Sequence, residues 1–89
     1  MDSFSAETFS PLVGETFRLQ REQGAPVELV LAEVSGGGRS FSIVLVGPAA
    51  ERLPQRIYRL EHARLGSLDL FLVPIGQTAA GIQYEAVFG

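Results

Sequence analysis

The sequence contains no cysteine and no lysine, and each absence excludes a class of site. Without cysteine, neither a disulfide nor a thiolate metal centre can stabilise the chain, so stability must come from packing or from association with another chain. The seven basic residues are all arginine, spread from Arg18 to Arg64, and the net charge is −3. A nucleic-acid surface needs clustered positive charge, so no nucleic-acid partner is expected.

The sequence also lacks any hydrophobic run long enough to cross a bilayer. Its first residues, Met1 to Phe4, have neither the basic nor the apolar region of a signal peptide. We therefore expect a cytoplasmic protein without a membrane partner, with later incorporation into an assembly left open.

A length of 89 residues favours a single domain, and 46% hydrophobic residues are enough for it to fold. We expect a helical plug over residues 1–14 and an antiparallel sheet over residues 15–89. Ser5 is a good helix N-cap, Phe4 and Phe9 have the spacing of a hydrophobic staple, and Gly14 can end the helical segment.

Beyond residue 14 the hydrophobic period changes to two, which is typical of β-strands. Six strands are predicted, near residues 15–20, 27–32, 41–46, 56–62, 68–73 and 82–88. In the second strand Glu28 and Glu33 fall on opposite phases, so either a bulge intervenes, which we favour, or the strand ends near Ala32. Residues 35–39 are predicted to be a flexible loop, and Pro74 is predicted to end the fifth strand before a hairpin loop at residues 76–81.

This order predicts an all-β fold, a small antiparallel barrel or sandwich of about six strands with one short N-terminal helix, because the chain has no helical crossovers for parallel pairing. The hairpin over residues 68–88 is expected to form the middle of the core.

His62 is the only histidine. It could act as a general base with Ser67 or Asp69, but we favour a strand-end histidine that bonds to backbone, because no nucleophile turn motif is present. We predict no metal site, since cysteine is absent and the acidic residues are scattered. No cofactor is expected either, because the three glycines from Gly36 lack the lysine and the helix of a phosphate-binding loop.

A second apolar face is the most informative pattern, because a barrel this small is expected to turn one face to water. The third strand is predicted to be buried on both sides, because Val44 and Val46 make its second side apolar as well. The residues of this face are Val30, Ala32, Val44, Val46, Phe71, Val73 and Val87. Either the N-terminal helix covers it or another chain does, and Val44, Val46, Phe71, Val73 and Val87 are the candidate interface.

Two functions are compatible with these patterns. The first is a non-enzymatic protein-interaction or structural module that binds a protein partner or a second copy of itself. The second is a small-ligand-binding barrel whose mouth is lined by Tyr58, His62 and Tyr84 with Arg56 or Arg59. No activated nucleophile, carboxylate pair or cofactor motif indicates an enzyme.

Several strings of the sequence resemble a family of small bacterial all-β domains of unknown function. The strings are Tyr58 to His62 with Leu65-Gly66, Leu70 to Gly76, Tyr84 to Phe88, and Phe9 to Gly14 with Phe17, so the resemblance covers nearly the whole chain. Members of that family often neighbour phage-tail-collar-type proteins. The resemblance implies a structural or assembly role, such as that of an accessory of a phage-tail-like or surface-fibre assembly, and it implies no catalytic residue.

Overall fold

The structure is a computed structural model, and it describes residues 4–89. The elements are helix α1 (Ala6–Phe9), a 3-10 turn (Ser10–Leu12), and strands β1 (Thr16–Leu19), β2 (Val27–Gly37), β3 (Ser40–Gly47), β4 (Arg56–His62), β5 (Gly66–Thr78) and β6 (Gly81–Phe88). Within the described range, no helix has the length and apolar character needed to cross a bilayer.

All strand pairs are antiparallel, and the sheet closes on itself in the order β1-β2-β3-β6-β5-β4. The predicted all-β antiparallel class with six strands and a short N-terminal helix is confirmed. Closure depends on a short seam, in which Arg18 and Leu19 of β1 lie opposite Glu61 and Leu60 of β4.

The segment 48–55 crosses one end of the barrel, because β3 and β4 are consecutive in the chain but are not neighbours in the sheet. Leu53 is buried beneath this crossover. The hydroxyl of Tyr84 accepts a hydrogen bond from the Leu53 backbone N–H at 2.8 Å and donates one to the Glu51 carbonyl at 3.4 Å. An inward side chain of β6 therefore holds the crossover against the barrel.

Helix α1 closes the opposite end. The backbone N–H of Ala6 donates to the Gly38 carbonyl at 2.8 Å, which ties the helix to the turn between β2 and β3. The predicted staple is confirmed, since the rings of Phe4 and Phe9 lie 5.5 Å apart. Phe9 is completely buried and packs against inward-facing aromatic rings of Phe17 and Phe41. The helix thus fills the barrel end.

The interior is filled by side chains, as expected for a barrel of so few strands. The buried set is apolar apart from His62, and its completely enclosed members include Leu29, Ile43 and Leu72. In the hairpin of β5 and β6, Leu68, Leu70 and Leu72 are buried as predicted.

The strands confirm one detailed prediction and correct three others. The bulge in β2 is confirmed, because the register with β3 shifts between Leu31 and Glu33. The prediction that Pro74 ends β5 is wrong, because the strand continues to Thr78. A second bulge lies between Pro74 and Gly76, and it accommodates the proline, which has no N–H to donate to the ladder.

The predicted flexible loop at residues 35–39 is also wrong. Strand β2 continues through Gly37, and only Gly38 and Arg39 form the turn to β3. Gly36 has a φ of +96°, and a Cβ there would lie 2.7 Å from the Ser40 carbonyl oxygen. The glycines therefore allow a close approach of two paired strands. The third correction concerns β3, whose outward valines are half-buried, so this strand is not buried on both sides.

Candidate functional site

The second apolar face lies on the outside of the barrel, and helix α1 does not cover it. The apolar side chains of α1 and the following turn, Ala6, Phe9 and Leu12, are buried in the core at the barrel end. Phe71 remains 49% exposed and Val87 74% exposed. Of the two expected coverings, the N-terminal helix is therefore excluded.

The register divides this face into two patches. Glu85 of β6 lies opposite Val44 of β3 on one side and opposite Val73 of β5 on the other, so a charged residue separates these valines. The first patch carries Val30, Val44 and Val46 on β2 and β3. The second, which we call the Phe71 patch, comprises Ile57, Phe71, Val73 and Val87 on β4, β5 and β6.

Ile57 is the member of the Phe71 patch that the sequence analysis missed. It lies directly opposite Phe71 in the pairing of β4 with β5 and is 66% exposed. The sequence held a signal, since Ile57 alternates with the inward-facing Tyr58 and Leu60 and so falls on the outward phase. Two large apolar side chains are thus adjacent on the outer surface.

The three residues predicted to line a ligand mouth do not meet. Tyr84 is 1% exposed and lies inside the barrel at the crossover end. His62 lies at the α1 end, where it stacks on Phe17 with ring centroids 4.6 Å apart. Only Tyr58 borders a groove on the surface. Tyr58, His62 and Tyr84 therefore do not form a common ligand mouth.

Both ring nitrogens of His62 are engaged. Nδ1 accepts hydrogen bonds from the backbone N–H groups of Arg64 and Leu65 at 3.1 and 3.3 Å. Nδ1 therefore carries no proton, and Nε2–H donates to Glu15 Oε1 at 2.7 Å. A general base needs an unshared lone pair facing a substrate. His62 instead holds the turn after β4 and the start of β1, as in the strand-end interpretation favoured from sequence.

Substitutions of His62 separate the contribution of Nδ1 to stability from that of Nε2. We expect His62→Ala to lower the free energy of unfolding by about 1–3 kcal/mol, because two backbone donors lose their acceptor. In His62→Asn the side-chain oxygen takes the place of Nδ1, whereas in His62→Gln the amide nitrogen takes the place of Nε2. Urea denaturation should therefore rank Asn above Ala, and equal midpoints for these two variants would contradict the role of Nδ1.

The groove beside Tyr58 has a volume of about 520 Å³ and lies between residues 19–23 and residues 53–59. Arg21, Arg56 and Arg59 line it, together with the acidic Glu22. Arg21 pairs with Glu51 at 2.7 Å, and Arg59 pairs with Asp69 at 3.1 Å. Three arginines therefore line one groove of an acidic chain, and two of them are paired with carboxylates.

Tyr58 is fixed within this groove. Its hydroxyl donates to the Pro54 carbonyl at 2.5 Å, and the Arg56 guanidinium lies over its ring at 5.7 Å from the centroid. Burial raises the pKa of Tyr58, and the nearby Arg56 charge opposes this shift. The phenol is thus neutral at physiological pH and serves as a platform for the arginine.

Comparison with known proteins gives one family. A model described as a domain of unknown function, DUF6916, matches residues 4–88. The chain belongs to this family. No curated protein and no solved structure matches it.

The DUF6916 match confirms that the chain is a domain of an uncharacterised family, and it covers all but the ends. It assigns no residue a role. Within residues 4–89 of this DUF6916 domain, no three histidine or acidic side chains converge as metal ligands would. The Phe71 patch and the groove beside Tyr58 are therefore the two surfaces on which a functional argument can be based.

Proposed function

We propose that this DUF6916 domain is a non-enzymatic protein-interaction module that binds a partner protein through the Phe71 patch. The observation that carries the proposal is the pair formed by Ile57 and Phe71, which lie opposite each other on neighbouring strands and are 66% and 49% exposed. Large apolar side chains clustered on a surface are typical of interfaces, and aromatic residues often supply much of the binding free energy.

The surroundings of the patch also suit an interface. Arg59 and Asp69, two residue pairs further along the same two strands and on the same face, form an ion pair that provides a polar border. Interfaces commonly combine an apolar centre with a charged rim. A role as an accessory of a phage-tail-like or surface-fibre assembly is part of this proposal, and it derives from the family resemblance in the sequence.

Binding of a small ligand within the barrel is less well supported. Side chains fill the interior, and Phe9 and Leu53 are buried at its two ends. A ligand would have to bind on the outer surface.

The substitution Phe71→Asp tests the proposed interface. Because Phe71 is half-exposed on the outside of the barrel, we expect little loss of folding stability. Binding to a partner should weaken about tenfold or more, as for an interface residue whose replacement costs at least about 1.4 kcal/mol. The measurements are light scattering of the purified chain, for self-association, and titration calorimetry with proteins encoded by the adjoining genes.

Val13→Asp is a matched control, since Val13 is also 49% exposed but lies at the α1 end, outside the patch. If Phe71→Asp and Val13→Asp bound equally well, the Phe71 patch would not be the interface. A chain that is monomeric at millimolar concentration and binds none of these proteins would contradict the interaction module itself.

A further inference from the structure

The seam between β1 and β4 leaves part of β4 without a neighbouring strand. The two strands pair at Leu19 with Leu60, and the Gln20 N–H donates to the Arg59 carbonyl at 2.9 Å. Strand β1 then ends, whereas β4 begins at Arg56. The Arg21 side chain turns back to donate to the Ala25 carbonyl at 3.0 Å, within the loop that leads to β2. One edge of β4 is therefore open over its first residues.

The hydrogen-bonding direction along β4 follows from its alternation. The Arg59 carbonyl points towards β1. In an antiparallel strand, the N–H and C=O of residues two apart point to the same side, so those of Ile57 also point towards β1's side. There they face the groove, and among residues 4–89 no strand pairs with Ile57 on that side.

The charges in the groove indicate what can bind there. Arg21 and Arg59 already have carboxylate partners. Arg56 lies over the Tyr58 ring, and no ion pair joins it to a carboxylate of the described residues. A cation without a carboxylate partner in a groove favours an anionic ligand. The volume of about 520 Å³ falls within the usual range for ligand pockets.

We propose that this groove binds an extended acidic segment of a protein, which adds as a strand to β4 at Ile57 and places a carboxylate against Arg56. Strand addition to an open sheet edge is a recurring mode of peptide recognition, in which backbone hydrogen bonds supply affinity and side-chain contacts supply specificity. This inference goes beyond the proposed function, because the groove is a second binding site beside the Phe71 patch, and it rests on that function only in that the partner is a protein.

A labelled hexapeptide that alternates valine and glutamate is the probe, and fluorescence anisotropy measures its affinity. We expect Arg56→Gln to weaken binding about tenfold, since it removes a charge-assisted hydrogen bond. Arg52→Gln is the matched control, because Arg52 is exposed on the crossover and does not line the groove. It should change affinity less than about twofold, the residual effect of a solvent-screened charge that does not contact the peptide.

Hydrogen exchange tests the backbone contact directly. On peptide binding, the Ile57 amide should become protected. Ile57→Pro removes that donor while leaving the ladder to β5, whose donors come from the alternate residues, and it should abolish binding. Should Ile57→Pro fail to fold, the exchange of the Ile57 amide in the wild-type chain decides the point.

The inference would be overturned by equal affinity of the Arg56→Gln and wild-type chains, by an Ile57 amide whose exchange is unchanged by the peptide, or by equal binding of a valine–lysine peptide. Competition by inorganic phosphate or free glutamate at the peptide's own affinity would mean a simple anion site and would equally overturn it. Phe71→Ala, which adds no charge beside the acidic peptide, should leave peptide binding unchanged. If Phe71→Asp lost partner binding while the wild-type chain did not bind the peptide, the groove proposal would be wrong and the interaction module would remain supported.

Discussion

Replacing Phe9 by alanine is expected to lower the free energy of unfolding by about 3–5 kcal/mol, the usual cost of truncating a fully buried aromatic residue. Phe9 is 0% exposed, and its ring packs against four other phenylalanine rings, those of Phe4, Phe17, Phe41 and Phe88. At the barrel end, Phe17, Phe41 and Phe88 are held by three different strands, so the neighbours cannot all move to fill the space.

This loss of about 3–5 kcal/mol, the cost of truncating a buried aromatic residue, is large relative to the total stability of the domain. A domain of 89 residues is expected to have a total stability of about 4–13 kcal/mol. The melting temperature should fall by about 12 °C or more, which calorimetry measures. Val13→Ala, in the same segment but half-exposed, is the control and should change stability by less than about 0.5 kcal/mol. A Phe9→Ala chain as stable as this control would mean that the helix does not close the barrel.

The substitution Gly81→Ala should destabilise the chain by about 2–5 kcal/mol, because it combines backbone strain with overpacking. Gly81 opens β6 with a φ of +140°, a conformation that residues with a side chain rarely adopt. A Cβ at this position would overlap the Gly47 carbonyl group at the end of β3. The end of the β3 and β6 pairing would have to open.

Gly24→Ala separates the two contributions. Gly24 also has a positive φ, +85°, but nothing lies within 4 Å of the Cβ that would be added. This control should cost about 1–2 kcal/mol from the backbone alone. Urea denaturation of both variants gives the difference, which reports the contact with Gly47. If Gly81→Ala cost no more than Gly24→Ala, the two backbones would not approach each other as closely as described.

Period-two alternation was enough to predict the number of strands and the inward residues of most of them. It succeeded for Leu68, Leu70 and Leu72 because each packs in the interior, where only apolar side chains are tolerated. The bulge near Ala32 was also predictable, since the phase of the charged residues changes there.

The sequence was less informative where the backbone itself decides the structure. Proline and glycine are ordinary signals for a break in a strand, but here Pro74, Gly36 and Gly37 lie inside strands. A bulge accommodates Pro74, and the absence of a Cβ at Gly36 permits close pairing with β3. Such effects depend on the neighbouring strand, which local sequence does not specify.

The candidate site was predictable only in part. Phe71, Val73 and Val87 were identified because their phase is opposite to that of the core. Of the groove, only the β4 side was predicted, as Tyr58 with Arg56 or Arg59. The opposite side was not, because Arg21 is far from these residues in sequence and is brought to them only by the seam of β1 with β4. The predicted grouping of Tyr58 with His62 failed for a related reason: the two residues lie towards opposite ends of one strand.

The contact between Phe4 and Phe88, whose rings lie 6.4 Å apart, has an architectural consequence. The first and last described parts of the chain enter and leave the fold at the same end of the barrel. A unit with this property can be inserted into a surface loop of another protein, or joined in tandem with copies of itself, without rearranging its strands. The crossover end, which holds the groove beside Tyr58, would then face away from the point of attachment.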